Sequence, residues 1–525
     1  VCVAQNNTTH MTFAGTGVTN GINNAGDIKA LDALNEAQLW KAGADMYEQT
    51  EDILGKMEGG LESIIQTETS TSTGRGHEVH FRVISGFYGS GLQGEELFAG
   101  NRDLLEQINM TSQSVRVDLL RNGIENFFLT EDGLGMRGEI MNNVNENMGM
   151  WMGREKTHQG IGSMIHQVST DNHFIANGGG TLDDLKSGDV LTMDDIISAN
   201  AMLEPMGGTP AYVGTNGGEK VTAACFLTTT EGARGLKSDP DYKQVQRDAG
   251  VRGSENLIFK GGVSMIDGNM IKTWNVIDHD GVGAVGSFLN PKGYLGVPIV
   301  AGTTNNLTGT GRAICGGGNA TNAARSKVAF WRFFPKFAFK FVGGGTLSTT
   351  ASTNHLTSGG KFYITIVNPK NAPNTGGGEV IRNKWTIMEI DSNGFTANGN
   401  ELVPTKILGP GADSGIRSAT VGGVTYDAAK NTMNFVEGAL VYWSNSKGVP
   451  IGRTLALYRG AMRRAYGQFR NKRLTDSREG GVVNELYIAS IFGQKPRQNA
   501  AGKFPAIMNV NHAISYQGWN HPIVT

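Results

Sequence analysis

Cysteine is scarce: Cys2, Cys225 and Cys315 are the three in 525 residues. They are odd in number, scattered and in no C-x-x-C arrangement, so neither a disulfide framework nor a cysteine zinc site follows from them. Folding in a reducing cytoplasm is the simpler expectation. Long apolar runs are missing as well, and nothing approaches the ~20 residues that a membrane-spanning helix needs. The opening stretch "VCVAQNNTTHMTFAGTG" lacks the basic start and apolar core of a secretory signal, so no membrane partner is expected. Charge of one sign is lacking too: 46 Lys+Arg against 48 Asp+Glu leave a formal charge of -2. That balance gives no global reason to expect a nucleic-acid binder.

Glycine is what the chain has in excess, 75 of 525 residues or ~14%, about twice the usual share. No collagen period accompanies it. Spread between strand-like runs, it implies many turns and bulges, and so a β-rich or α+β protein.

Residues 1 to about 30 are polar, rich in Gly, Asn and Thr, and read as an extended arm. Leu39, Trp40, Met46, Tyr47, Ile53, Leu54, Met57, Leu61 and Ile64 then recur at three- and four-residue spacings, which predicts one amphipathic helix or a pair, with Asn35 as N-cap. From Glu78 the period becomes two: Val79, Phe81 and Val83 alternate with polar neighbours, as do Val115, Val117 and Leu119 further on. Two such strands around a polar, Gly-rich segment predict a long β-hairpin. Met136, Ile140, Val144, Met148 and Trp151 predict a helix to about Val168, although Gly149, Gly153, Gly160 and Gly162 force it to rely on tertiary packing. "TAACFLTTTEGARGLKS…" reads as strand then helix, followed by two strands joined around "DGN". Residues 343–423 turn to Gly, Thr, Ser and Asn with short strands, which predicts an inserted β-domain. The tail predicts a helix at "GRTLALYRGAMRRAYGQFRN" and strands at "GGVVNELYIASIFG" and "FPAIMNVNHAIS".

Several segments carry possible chemistry. Gly89, Gly91 and Gly94 have the G-x-G-x-x-G spacing of a dinucleotide site. The strand before them alternates instead of being apolar throughout, and Glu95 and Glu96 stand where a pyrophosphate would need positive charge. In "HEVH", His77 and His80 on an alternating strand point to opposite faces, unlike the two histidines of a zinc-protease helix. Asp278, His279 and Asp280 could ligate a divalent ion with His166 or His173, or form a solvated turn. "WRFFPKFAFKF" interleaves Arg332, Lys336 and Lys340 with aromatics, which suits either single-stranded bases or a core strand with its lysines in water. Arg459, Arg463, Arg464, Arg470, Lys472 and Arg473 form a basic face, solvated by default and otherwise an interface. No Walker A loop, nucleophile elbow or HExxH occurs, and no catalytic residue, cofactor or metal is nominated.

Three blocks in this order resemble the major capsid proteins of tailed phages, the N4-type family with the HK97 fold. The first is "HEVHFRVISGFYGSGLQGEELFAGNRDLLEQINMTSQSVRVDLLRNGIE" and the helix after it. The second is "FLTTTEGARGLKSDPDYKQVQRDAGVRGSENLIFKGGVSMIDGNMI". The third is "GRTLALYRGAMRRAYGQFRNKR" with "IASIFGQKPRQN". The resemblance implies an HK97-like α+β fold. Its parts would be an N-terminal arm and helix (1–75), an extended hairpin or E-loop (76–125) and a peripheral domain with a long spine helix (126–220). An axial domain (221–342), the inserted β-rich domain (343–423) and the returning axial and peripheral segments (424–525) would complete it.

The same resemblance implies a non-enzymatic structural protein. It would assemble in the host cytoplasm as hexamers and pentamers into an icosahedral virion shell around double-stranded DNA, which it would not read by sequence. Portal, scaffolding and decoration proteins would be its partners. Intersubunit contacts are expected along the arm, at Phe81, Val83, Phe87, Tyr88, Gly91, Gly94, Glu95, Glu96, Arg102, Asp103, Val115 and Val117. A neighbouring subunit would cover the apolar face of Phe81, Val83, Val115 and Val117. The alternatives are a nucleotide- or metal-using enzyme with its site near Gly89–Gly94 or Asp278–Asp280, and a secreted β-rich adhesin.

Overall fold

The structure is a computed structural model that describes residues 48–49, 51–68, 78–84, 110–126, 137–216, 219–244, 264–266, 268–278, 283–285, 288–290, 292–294, 340–341, 345–346, 362–370, 385–395, 402–408, 417–421, 424–427, 440–467, 472–478, 483–499 and 501–522. Strand β1 (Ile65–Glu68) precedes the antiparallel pair β2 (Glu78–Ile84) and β3 (Met110–Arg116), and β3 continues past Val117 into β4 (Asp118–Asn126). A 30-residue helix α1 (Arg137–His166) follows, then α2 (Met193–Leu203), β5 (Glu219–Thr228), α3 (Thr230–Ser238) and β6 (Asn269–Thr273). The C-terminal part supplies β7 (Ile451–Leu457), β8 (Met462–Tyr466), β9 (Lys472–Arg478), β10 (Val483–Pro496) and β11 (Ile507–Ala513). The architecture is α+β, with mixed sheets.

The central sheet runs in the order His173–Ile175, β11, β7, β5, β6, Ser264–Ile266, with Ala211–Asn216 paired to β5. β5 and β6 are parallel, and α3 lies in the crossover between them. Thr229 caps α3 by accepting a hydrogen bond from the Gly232 N–H. Every residue of β7 and β11 is buried, and Leu455, Leu457, Ile507 and Val510 join Phe226, Leu227, Ile196 and Leu203 in the main apolar core.

A second sheet takes Glu58–Gly59, β1, β8, β10 and β9 in order, and β4 pairs with β10 as well. The long helix packs on this sheet. Val144 and Met148, two of the residues whose spacing predicted a helix, meet Leu486 and Ile488 of β10 together with Met152, and Trp151 packs against them partly buried. The helix glycines allow close approach: a Cβ at Gly153 would lie 2.5 Å from the Glu48 carbonyl oxygen, and one at Gly162 2.5 Å from the Phe288 ring. Tertiary contact therefore supplies what the glycines subtract from intrinsic helix propensity.

Strands Phe362–Val367, Trp385–Phe395 and Leu402–Leu408 do form within 343–423, but their five-stranded sheet also takes Lys292–Tyr294 and Leu440–Ser444. The sheet thus extends beyond those bounds at both ends.

Two expectations are corrected. The tail segment expected as a helix is β7 and β8, strands of two different sheets. Gly460, at φ 68°, turns the chain between them, and burial on every side explains why helical spacing and strand alternation fit the residues equally well. The amphipathic helix expected to reach Ile64 is helical at Glu48, Gln49 and Glu51, but a 3-10 turn (Gly55–Met57) and strands replace it beyond. Leu61, expected on its apolar face, is 81% exposed.

Candidate functional site

The hairpin arm is the feature on which the expected contacts converge. β2 and β3 pair in register from Glu78 opposite Arg116 to Ile84 opposite Met110. Alternation works as expected: Glu78, His80 and Arg82 are exposed, while Val79 and Phe81 are buried. Their cover is corrected, however. Phe81 (7% exposed), Val115 (0%) and Val117 (7%) pack with Val79, Ala465 and Ile491 of the same chain, so no neighbour is needed to shield them. Apolar side chains at the arm's root meet β8 and β10 first because the chain continues directly from the arm into β4, which pairs with β10. Val83 lies on β2. Phe87, Tyr88, Gly91, Gly94, Glu95, Glu96, Arg102 and Asp103, with the whole Gly89–Gly94 motif, lie outside the described residues.

The root is bolted further by polar groups. Gln113 of β3 donates to the Pro496 carbonyl (2.8 Å) and accepts from Arg463 of β8 (3.0 Å), whose guanidinium lies over the Phe81 ring. Gly493 leaves room for the Arg116 backbone, since a Cβ there would stand 2.1 Å from that carbonyl oxygen.

Below the arm, segment 48–58 is held to α1 and the second sheet by a buried ionic joint. Lys156 of α1 pairs with Glu48 (2.6 Å), and Thr157 donates to Asp52 (2.9 Å). Arg464 of β8 pairs with Asp52 (2.8 Å) and Glu58, and Tyr466 also donates to Glu58 (2.6 Å). Gln494 of β10 closes the ring: it accepts from Arg464 (3.0 Å) and donates to the Lys156 carbonyl (2.9 Å). Burial alone would raise the Asp52 pKa, but Arg464, the Gly55 N–H, Lys156 and Thr157 outweigh it and hold the carboxyl below its usual range. Burial likewise opposes the charge on Arg464, and Asp52, Tyr466 and Glu58 more than restore it.

Sequence reasoning missed this joint. Asp52 and Arg464 are 412 positions apart, and nothing local links them. Arg463 and Arg464, expected on a solvated basic face, are 3% and 0% exposed; strand geometry sends them to opposite faces of β8, one toward the arm and one toward the joint.

The remaining candidates are placed as follows. His80 is exposed on β2, and His77 lies outside the described residues. Asp278 ends a short strand (Val276–Asp278), while His279 and Asp280 lie outside. His166 is buried with its ring edge-on to Phe288, and His173 meets Asn509. Among the described residues, no group of three or more His, Cys, Asp or Glu side chains could hold a metal ion. Cys225 is buried, with its thiol pushed up to about 12 by burial, and so is unreactive. Lys340 lies on a two-residue strand, whereas Arg332, Lys336, Arg470, Cys2 and Cys315 are outside. No helix among the described residues is long and apolar enough to cross a membrane.

No family model matches the chain, and no curated protein matches it. Solved structures do. The chain is similar to the capsid of Ralstonia phage GP4, at 11% identity over 88% of this chain and 90% of that one, with a TM-score of 0.45. It is similar at the same identity to the head structure of Helicobacter pylori bacteriophage KHP40, over 88% and 91% of the two chains, with a TM-score of 0.45. The capsid of cyanophage Pam1 matches over 88% of this chain and 92% of that one, at 11% identity and a TM-score of 0.43.

Proposed function

We propose that this chain is a shell-forming subunit of a tailed-phage capsid with an HK97-type fold; the solved structures it is similar to are phage capsids and heads. One observation carries the reading. A hairpin arm is clamped at its root by its own chain through Val79, Phe81, Val115 and Gln113, and is followed by a 30-residue helix laid on the same sheet. A protein that tiles a closed surface needs such a rigid body with extended arms that reach its neighbours.

On this reading the chain is structural and not an enzyme, and it assembles in the host cytoplasm as hexamers and pentamers around double-stranded DNA. Residues 1 to about 30 order on assembly, and portal, scaffolding and decoration proteins are its partners. Intersubunit contact is made by the outer arm, from Phe87 and Tyr88 through Gly91, Gly94, Glu95, Glu96, Arg102 and Asp103. Glycines there admit positive φ, so that one sequence bends differently in unlike environments. Near-neutral charge suits a container, because a strongly basic lining would grip DNA phosphates and hinder release.

Negative-stain microscopy of the expressed chain tests the reading, with shells, hexamers or pentamers expected. A strictly monomeric chain at assembly concentrations would refute it. The paired substitutions Gly91→Val and Gly94→Val are expected to abolish particles while circular dichroism and the thermal midpoint of the subunit stay unchanged.

A further inference from the structure

Arg459, Arg463 and Arg497 gather at one end of the second sheet, where Glu68 is the acid whose charge acts on Arg463. Arg497 reaches the Arg459 carbonyl through Nη1 (3.4 Å), and its own N–H donates to the Ala461 carbonyl (3.0 Å). Arg463 stands opposite Lys495 in the β8–β10 register, which adds a fourth cation. Gly460 is what lets the group form, since a Cβ there would meet Arg497 Nη1 at 2.9 Å. Among the described residues, no ion pair within 4.0 Å closes on these arginines, and the Nε atoms of Arg463 and Arg497 are buried without a hydrogen-bond partner. Arg463 is 3% exposed. Burial and then the charge of Arg497 bring its pKa down to about 10, and burial and then Arg459 lower that of Arg497; Glu68 offsets only part of the first shift. Desolvated like charges that Glu68 offsets only in part are costly, which points to a further anion supplied from outside the chain.

The surroundings indicate what carries that anion. Backbone hydrogen bonds tie the cluster to two neighbouring turns: Arg459 to Thr209, Gly460 to Ser63, and Tyr212 to Glu62. The one at Ser63 presents Leu61 at 81% exposure, and the strand Ala211–Asn216 that follows the other presents Tyr212 at 40%. Arginine beside exposed aromatic and aliphatic groups is the composition of a protein interface centre, whereas a phosphate-tracking surface is polar throughout. Exposed carboxylates such as Asp184, Asp194 and Asp241 are available on every copy of the chain.

We propose that the Arg459/Arg463/Arg497 cluster, rimmed by Leu61 and Tyr212, receives an acidic side chain of a second copy of this chain. The proposal rests on the shell-subunit reading and specifies one of its contacts. It also separates two quantities that usually move together. Without the second copy the arginines repel one another, so relieving the repulsion strengthens the lone subunit and weakens the assembly.

The test uses full-length chain carrying Arg459→Glu with Arg497→Glu. The expected result is a thermal midpoint at or above that of the wild type, together with a roughly tenfold or greater rise in the concentration needed to form particles. In a second arm, Arg497→Lys subunits, half of them isotope-labelled, are assembled and treated with a carbodiimide. A new amide between position 497 and an Asp or Glu of another copy is expected by mass spectrometry. Wild-type assembly with an unaffected double variant overturns this contact alone, as does a position-497 amide found only within one chain. Double-variant particles that form normally but hold less nucleic acid also overturn it, and assign the cluster to phosphate instead. A wild-type chain that never assembles removes the shell reading and this contact with it.

Discussion

The central sheet and the joint at segment 48–58 bury their interiors by opposite means. Phe226, Leu227, Leu455 and Leu457 fill the first with hydrocarbon, whereas Glu48, Asp52, Lys156 and Arg464 fill the second with charge. Apolar packing tolerates many arrangements of similar volume, but both oxygens of Asp52 and one each of Glu48 and Glu58 have a designated donor. The difference teaches where orientation is specified: the sheet supplies bulk stability, and the joint sets how the N-terminal segment meets the helix and β8.

The largest effects should come from breaking each region in its own way. Arg464→Met strands Asp52 and Glu58 in the interior and is expected to cost about 3–5 kcal/mol in urea unfolding. Phe226→Ala, a cavity in the central core, should cost about the same. The regions part company on rescue. Adding Asp52→Asn and Glu58→Gln to Arg464→Met should recover much of the loss, while no polar change rescues Phe226→Ala.

Acid sharpens the comparison next. His512 of the central sheet is buried, faces the Thr454 hydroxyl and the Ala513 carbonyl, and has its pKa lowered from 6.5 to about 4, chiefly by burial. The unfolded chain therefore binds the proton more readily across that window. Stability is full above pH 6.5 and falls by ~3 kcal/mol as the pH drops to 4. Asp52 is depressed below 3.8, so the joint keeps its contribution through that range and loses it only below. Unfolding midpoints against pH should accordingly show two steps; buried His158, likewise lowered by burial, adds to the upper one, and His512→Asn should shrink that step without touching the lower. The smallest effect is local: Thr229→Ala removes the cap of α3 and should cost about 1 kcal/mol.

Much of this fold can be read from residue order because its signals are local. The long helix, expected from Met136 to Val168, is observed from Arg137 to His166, and the strands of the arm alternate as written. "GRTLALYRGAMRRAYG" was illegible for a physical reason. A segment buried on all sides has no polar face to reveal its period, and Arg464, which looks like a surface group, is paired with Asp52, 412 positions away. The expected contacts divide the same way. The alternation that marked Phe81, Val115 and Val117 as apolar is real, but spacing carries no information about whether the cover comes from the same chain.

β10 links these regions mechanically. Its 14 residues span ~46 Å at the usual rise per residue, pairing with β4, β8 and β9 on the way. Gly493, against which the arm's backbone rests, is the immediate neighbour of Gln494, which bridges Arg464 and the Lys156 carbonyl. The arm therefore has no independent hinge at its root. Any tilt of the hairpin pries at the seat of segment 48–58, so the pose of the arm and the docking of the N-terminal segment form a single degree of freedom.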